Sequence, residues 1–266
     1  MFRAEKYGPW ALIAGGSEGV AEAFAQKLGG NGINLVLVAR KPQPLEDLAE
    51  KVRSQCGVQV RALSLDLIRA DMLERIREVT DDIDIGLLIY NAGGAMGTQP
   101  FLGASLDDVL MAVQLNVVGQ TKLAHHFAPK MVLRGRGGII FIGSLAGNAG
   151  APNLATYGGS KAFTQIFGEA LWSELKPHGV DVLVQVLGAT DTPRARRSNN
   201  TFAAKPASQS SDEVAQQALD ELADGGPVIT PPAMAEHFKR VSSMPRRQVA
   251  ELMQAIGPKP AKHWPA

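Results

Sequence analysis

Tyr157 and Lys161 stand four residues apart in "YGGSK", and Ser144 closes the apolar run "GIIFIGS" upstream of them. On a helix, positions i and i+4 share a face, so the phenol and the ammonium would stand close together. A free phenol has a pKa near ~10, and a neighbouring cation favours phenolate, which tunes the group toward acid–base work. Ser144, at the end of a strand, is suited to hydrogen-bonding a substrate oxygen and steadying the charge that develops there. Each residue also has a plainer reading: a packed ring beside a solvated amine, and a serine capping a turn. What separates the two is whether the same chain also builds a dinucleotide site.

The stretch "IAGGSEGVAEAF", Ile13 to Phe24, follows the apolar run "WALIA" and opens onto an alanine-rich segment of helical character. Glycines after a strand let backbone approach a pyrophosphate, and the following helix N-terminus adds amide donors and a positive dipole. The plain alternative is a tight turn closing strand to helix. Ala21 takes the place of the glycine that serves close helix-to-strand packing, so phosphate binding is expected to survive, with the helix shifted slightly outward. About 20 residues further on, an NAD site wants an acid for the ribose hydroxyls. Here the second strand ends Val38-Ala39-Arg40-Lys41. Two cations stand where an adenosine 2′-phosphate would lie, and Ser17 is placed to add a hydroxyl, so NADP(H) is the expected cofactor. The third strand ends on Asp66 and Leu67, and the fourth on Asn91, Ala92 and Gly93, where the small residues 92–94 would admit the flat adenine side of a dinucleotide. Asp66 has the alternative of a helix cap.

In this order the markers resemble those of the short-chain dehydrogenase/reductase family, in its single-domain branch, along residues ~8–195. They are "AGGSEGVA" for the glycine turn, Asn91-Ala92-Gly93, Asn116 in "NVVG", Ser144, and Tyr157-x-x-x-Lys161. The resemblance implies hydride transfer between a nicotinamide and a carbonyl or alcohol. It makes Tyr157 the proton donor and has Lys161 hold the ribose and lower the tyrosine pKa. It has Asn116 anchor a water relay to Lys161. The implied cofactor contacts are Gly15, Ser17, Glu18, Gly19, Val20, Arg40, Lys41, Asp66, Leu67, Asn91, Ala92, Gly93, Tyr157, Lys161, Gly188, Thr190 and Thr192. After the sixth strand the family has P-G-x-[IV]-x-T; this chain reads Leu187-Gly188-Ala189-Thr190-Asp191-Thr192, so the threonine matches and the proline has become Leu187. The stretches "KYGPWALIAGGSEGV" and "VLGATDTP" and the helical C-terminus are similar to NADP-dependent 7β-hydroxysteroid dehydrogenases. More distantly they resemble 17β-hydroxysteroid dehydrogenases that reduce long-chain 3-ketoacyl groups.

The elements that must position these residues follow from periodicity. Apolar, β-branched runs at 11–14, 34–39, 58–63, 85–90, 138–143, 180–187 and 227–230 read as strands buried on both faces. Segments rich in Ala, Glu, Lys, Leu and Gln at 20–28, 43–55, 69–79, 105–133, 155–176 and 211–223 read as helices, with Ser105 and Ser211 as caps. Alternation of the two predicts an α/β, single-domain Rossmann fold: a doubly wound, parallel, seven-stranded sheet with helices on both faces. Ligands of such sheets bind beyond the carboxyl ends of the strands. Residues 192–210 suggest a substrate lid, and 231–266 a C-terminal helical extension with helices near 233–241 and 246–255.

With 27 basic and 26 acidic residues, no global field draws the chain toward nucleic acid or an anionic membrane. Cys56 has no partner for a disulfide, the start "MFRAEKYGPW" is no signal peptide, and no apolar run approaches the ~20 residues that span a bilayer, so a cytoplasmic protein is expected. The expected partner is a small ketone or alcohol, with no metal. Met96, Phe101, Leu145, Leu154 and Phe202 flank the site as pocket candidates, though core packing suits them equally. Arg194, Arg196 and Arg197 are candidates for an anionic substrate tail or for a hydrated loop; His125 and His126 read as surface or interface. The long helices 105–133 and 155–176 are those which relatives pair in homodimers or homotetramers. Two rivals to a reductase remain: a cofactor-sensing binding protein, and an epimerase or dehydratase with no net redox change.

Overall fold

The computed structural model describes residues 2–94, 99–197 and 209–256, leaving aside the side chain of Arg194. Seven strands form one parallel sheet in the order β3 (Val60–Ser64), β2 (Asn34–Ala39), β1 (Trp10–Ala14), β4 (Ile85–Tyr90), β5 (Gly137–Ser144), β6 (Val180–Leu187) and β9 (Val228–Ile229). The order reverses between β1 and β4, which opens a crevice at their carboxyl ends, the place where such sheets bind ligands. A small parallel pair, β7 (Thr190–Asp191) with β8 (Gln209–Ser210), lies outside that sheet.

Period-2 alternation explains why β1 is apolar throughout. Ala11 and Ile13 face one core with Phe24 and Leu28 of α2 (Val20–Gly30), Val52 of α3 (Pro42–Cys56) and Leu219 of α9 (Ser211–Glu221). Leu12 and Ala14 face a second core with Ile76 of α4 (Met72–Arg77), Phe127 of α6 (Gly119–Arg134) and Phe167 of α7 (Ala155–Leu175). A strand covered on both faces has no polar face to show, so the continuous apolar reading holds. The short helix α1 (Ala4–Tyr7) is tied under the sheet by the Tyr7 hydroxyl, which donates to Asp181 at 2.6 Å, and by Lys6 on the same carboxylate at 2.5 Å.

Three sequence expectations are corrected. The segment 105–133 is not one regular helix: α5 (Leu106–Val113) runs into a π turn over Gln114–Val118 before α6 begins. Two main-chain carbonyls of this turn, Leu115 O and Asn116 O, accept from the side chains of Tyr90 and Gln120. The helix expected over 69–79 is reduced to Met72–Arg77, because the segment before it is spent on a turn bonded to Asp66 and on the Arg69–Asp71 ion pair. The cap of α9 is Ser210 rather than Ser211. Ser210 keeps the extended conformation of β8, its hydroxyl accepts from the Glu213 amide, and the Glu213 carboxylate accepts from the Ser210 amide in return. The expected extension is present as α10 (Ala235–Ser243) and α11 (Arg246–Ile256). Of the expected lid, residues 193–197 form the short helix α8, while 198–208, like Met96 and Phe202, lie outside the described residues.

Candidate active site

The crevice is sewn together by backbone at the ends of β1, β2 and β4. Gly15 donates to Val38 O at 2.8 Å, while the amides of Asn91 and Ala92 both donate to Ala14 O, at 2.9 and 2.7 Å. The Asn91 side chain donates to Gly15 O at 2.6 Å. Gly15 has φ +99°, and a Cβ there would lie 2.3 Å from the Ala92 Cα. Only glycine fits both the conformation and the approach. Gly15 therefore serves the junction of the two strands. Gly19 caps α2 without a side-chain hydrogen bond, so that residue leaves the first amides of the helix uncapped. Ala21 is fully buried, its methyl facing Gly16, where a Cβ would come within 3.2 Å.

Around the far end of this cradle, Arg40 follows β2 with its side chain mostly exposed, and its ion pair with Asp66 is long, at 3.9 Å. Lys41 is exposed beside it at the start of α3. Asp66 caps its own turn by accepting from the Ile68 amide, whereas the Leu67 side chain is part of the core, as is Val20. The glycine turn and the uncapped helix start suit a dinucleotide.

The catalytic candidates converge beyond β5. Ser144 ends the strand, and its hydroxyl accepts from the Ala146 amide at 3.2 Å, opening the short turn Leu145–Gly147. That turn lies against α7 so closely that a Cβ on Gly147 would be 2.6 Å from the Lys161 carbonyl carbon. Ser144 is thereby held beside the helix that carries the other two groups. Lys161 Nζ sits 6.0 Å from the centre of the Tyr157 ring and donates to Ile142 O at 2.7 Å. Burial pushes the Lys161 pKa down to about 8. Asn116 reaches the same spot from the π turn: a Cβ on Gly93 would lie 2.4 Å from Asn116 Oδ1 and 3.1 Å from Lys161 Nζ. Asn116 is buried, and among the described residues neither atom of its side-chain amide has a partner. A buried amide left so is costly unless a bound group or water satisfies it.

The walls come from later in the chain. Thr192 caps α8 by accepting from the Ala195 amide at 3.0 Å, and its side chain lies 3.3 Å from where a Cβ on Gly19 would be, so the β7–α8 segment borders the glycine turn. Thr190 is buried and its hydroxyl donates to Gly188 O at 3.3 Å. Arg197 pairs with Glu18, and Arg196 forms a fork with Asp191. These two cations therefore have carboxylates of this chain as partners. Gly188 faces Leu145, Pro231 and Met234, which brings the start of the C-terminal helices to the loop after Ser144. Asn148 fastens them: its side-chain amide donates to Phe238 O and accepts from Ser242 Oγ, and its carbonyl accepts from Arg246. A shallow groove between Phe101, Val109 and Ala112 ends on Ala155 and Thr156, just before Tyr157.

The profile of the short chain dehydrogenase family matches residues 9–202. A very-long-chain 3-oxoacyl-CoA reductase of Neurospora crassa is 38% identical over 73% of this chain, which spans 60% of that protein's length. A 7beta-hydroxysteroid dehydrogenase of Clostridium sardiniense is 34% identical over 71% of this chain and 72% of its own. A solved short-chain dehydrogenase of Sphingobium yanoikuyae in complex with NADPH superposes with a TM-score of 0.79 at 32% identity, covering 96% of this chain and 98% of that one. The chain belongs to the short-chain dehydrogenase/reductase family of oxidoreductases.

Of the residues expected from sequence, Gly93, Asn116 and Lys161 meet at one point. Gly15, Asn91 and Ala92 build the cradle, and Gly19 faces Thr192. Leu67 and Val20 send their side chains into the core, which leaves backbone as their means of touching a ligand. Tyr90, Gln120 and Asn148 were not anticipated. A tyrosine ending an otherwise aliphatic strand, in "IGLLIY", was the available signal for the first; the other two carry none.

Proposed function

We propose that this chain is an NADP(H)-dependent oxidoreductase that interconverts a ketone and a secondary alcohol on a bulky apolar substrate. The observation that carries the reading is Lys161 beside both the Tyr157 ring and the buried amide of Asn116, unpartnered among the described residues, next to the turn that Ser144 opens. Gly19, the start of α2 and Arg40 would hold the cofactor, which supplies the hydride when bound. The exposure of Arg40 and Lys41, with no acid ending β2, supports a 2′-phosphate. The steroid and long-chain acyl substrates named for two relatives support the substrate class.

In this mechanism Ser144 donates a hydrogen bond to the substrate oxygen and fixes its place before Tyr157. Tyr157 gives that oxygen its proton in the reducing direction and takes it back in the other. Lys161, held by Ile142 O, keeps a positive charge beside the phenol at neutral pH and favours the phenolate that remains. Asn116 orients a water that returns the proton to Tyr157 by way of Lys161.

The test is Tyr157→Phe with NADPH and a panel of 7-oxo steroids, 3-oxoacyl thioesters and bulky aryl ketones. Turnover is expected to fall by at least about 10²-fold while NADPH binding, followed by fluorescence, is retained. Retained turnover refutes the mechanism. Wild-type protein that binds NADPH without net loss of it on every ketone would point to a sensor or an epimerase. We also propose a homodimer or homotetramer, supported by the exposed apolar residues Leu106 and Leu110 of α5 and Phe163 and Ile166 of α7. A concentration-independent monomer in light scattering refutes it.

A further inference from the structure

Tyr90 ends β4, a strand otherwise made of aliphatic residues and one glycine, and is buried against the second core. A phenol in such a place needs a hydrogen bond, and its hydroxyl donates to Leu115 O at 2.6 Å. Leu115 lies in the π turn, where the ladder slips by one residue. Such a turn frees main-chain carbonyls from their ordinary helical partners. Two side chains take them up: Tyr90 on Leu115 O, and Gln120 on Asn116 O. The same Gln120 amide reaches Thr164 Oγ1 at 2.9 Å, and Thr164 donates to Ser160 O beside Lys161. Room for the phenol comes from Gly119, where a Cβ would sit 2.2 Å from the Tyr90 oxygen.

The turn they hold carries Asn116. Successive residues of an α-helix are about 100° apart around the axis. Undoing a one-residue slip would therefore swing Asn116 by about that angle, away from Gly93 and Lys161. We infer that Tyr90 and Gln120 are positioning residues: they lock the widened turn that aims the Asn116 side chain at Lys161. This rests on the roles proposed above for Tyr157, Lys161 and Asn116. One tie comes from the end of β4; the other comes from Gln120 of α6, the helix that continues the turn, and its amide is also bonded to Thr164 of α7.

The experiment is a cycle of Tyr90→Phe and Asn116→Ala, singly and together, with the ketone that wild type reduces fastest. Tyr90→Phe should lower kcat by about tenfold with KM for NADPH within about twofold, and shift the kcat–pH profile. In the Asn116→Ala background the same change should cost less than about twofold, because its effect runs through Asn116. In cofactor-free protein, the side-chain amide resonance of Asn116 should move in Tyr90→Phe while that of Asn91 stays. Gln120→Leu, which cuts the second tie without touching β4, runs through the same cycle and carries the test if Tyr90→Phe is not soluble. Equal losses in both backgrounds, or an unmoved Asn116 resonance, overturn the inference. Tyr157→Phe in the same assay separates the two levels: if it stays active, the reading of the site has failed, whereas an inactive Tyr157→Phe beside an unimpaired Tyr90→Phe overturns the positioning role alone.

Discussion

Lys161 pays for its place at the site in stability, and replacing it with methionine should reveal the amount. Burial moves its pKa from 10.5 to about 8. At 1.36 kcal/mol per unit, holding the charged form inside the native protein costs about 3 kcal/mol relative to the unfolded chain. Below pH 8 both states carry the proton, so the whole penalty applies. Between pH 8 and 10.5 the native state has released it and the unfolded state has not; the unfolded state binds more protons, and stability rises with pH. Above 10.5 both are neutral and the penalty is gone. Methionine has a similar length without a titrating group, and it leaves Ile142 O without its donor, a cost of about 1–3 kcal/mol that does not vary with pH. Urea unfolding of cofactor-free wild type and Lys161→Met should therefore give curves whose difference shifts in favour of wild type by about 3 kcal/mol between pH 7 and 10.5. Groups common to both proteins cancel in that difference. The variant should be inactive, with kcat down by more than about 10²-fold, yet no less stable than wild type at pH 7 to within about 1 kcal/mol. A difference that stays flat from pH 7 to 10.5 would mean that Lys161 titrates alike in both states, and the account of its burial would be wrong.

Arg40→Ala should lower kcat/KM for NADPH by about 10–100-fold and leave that for NADH within about threefold, since a charge-assisted hydrogen bond is worth about 1.5–3 kcal/mol; an unchanged preference removes Arg40 from the cofactor site. Ala21→Gly should leave the NADPH dissociation constant within about tenfold while destabilising α2 by about 1 kcal/mol, through lost helix propensity and a lost buried methyl. A larger gain in affinity would mean that the methyl does crowd the cradle. Asn148→Ala, which cuts the side-chain ties to α10, should raise KM for bulky ketones by several-fold, on the order of 1 kcal/mol, and leave KM for NADPH alone. Equal changes for both substrates would refute a role confined to the substrate wall.

Most of the sheet was legible because its strands are covered on both faces, and a run such as "NLVLVA" has no other stable home. Tyr157 and Lys161 were legible because helical spacing puts them on one face, and Arg40 because it stands where β2 ends. The π turn was hidden: nothing in "QLNVVG" marks a slip one of whose partners, Tyr90, comes from a distant strand, while the other, the adjoining Gln120, is also bonded to Thr164 of a distant helix. Gly15 carried its signal but not its reason, since its need is set by Ala92, 77 positions later in the chain. The partner of Arg197 was unreadable for the same cause, since Glu18 is brought there by the fold alone, whereas Asp191, the partner of Arg196, is close in sequence.

The C-terminal helices are fastened to the rest of the molecule at Asn148, at a small apolar cluster of Ala149, Val241 and Val249, and through Phe238 of α10, which packs against the second core. The elements that carry the reactive groups are rooted in the two large cores. Exchange of residues 235–256 at a junction near Pro231 should change which ketones the protein reduces while Lys161 and Asn116 keep their places. For an engineer, that junction is the seam along which to graft a new specificity.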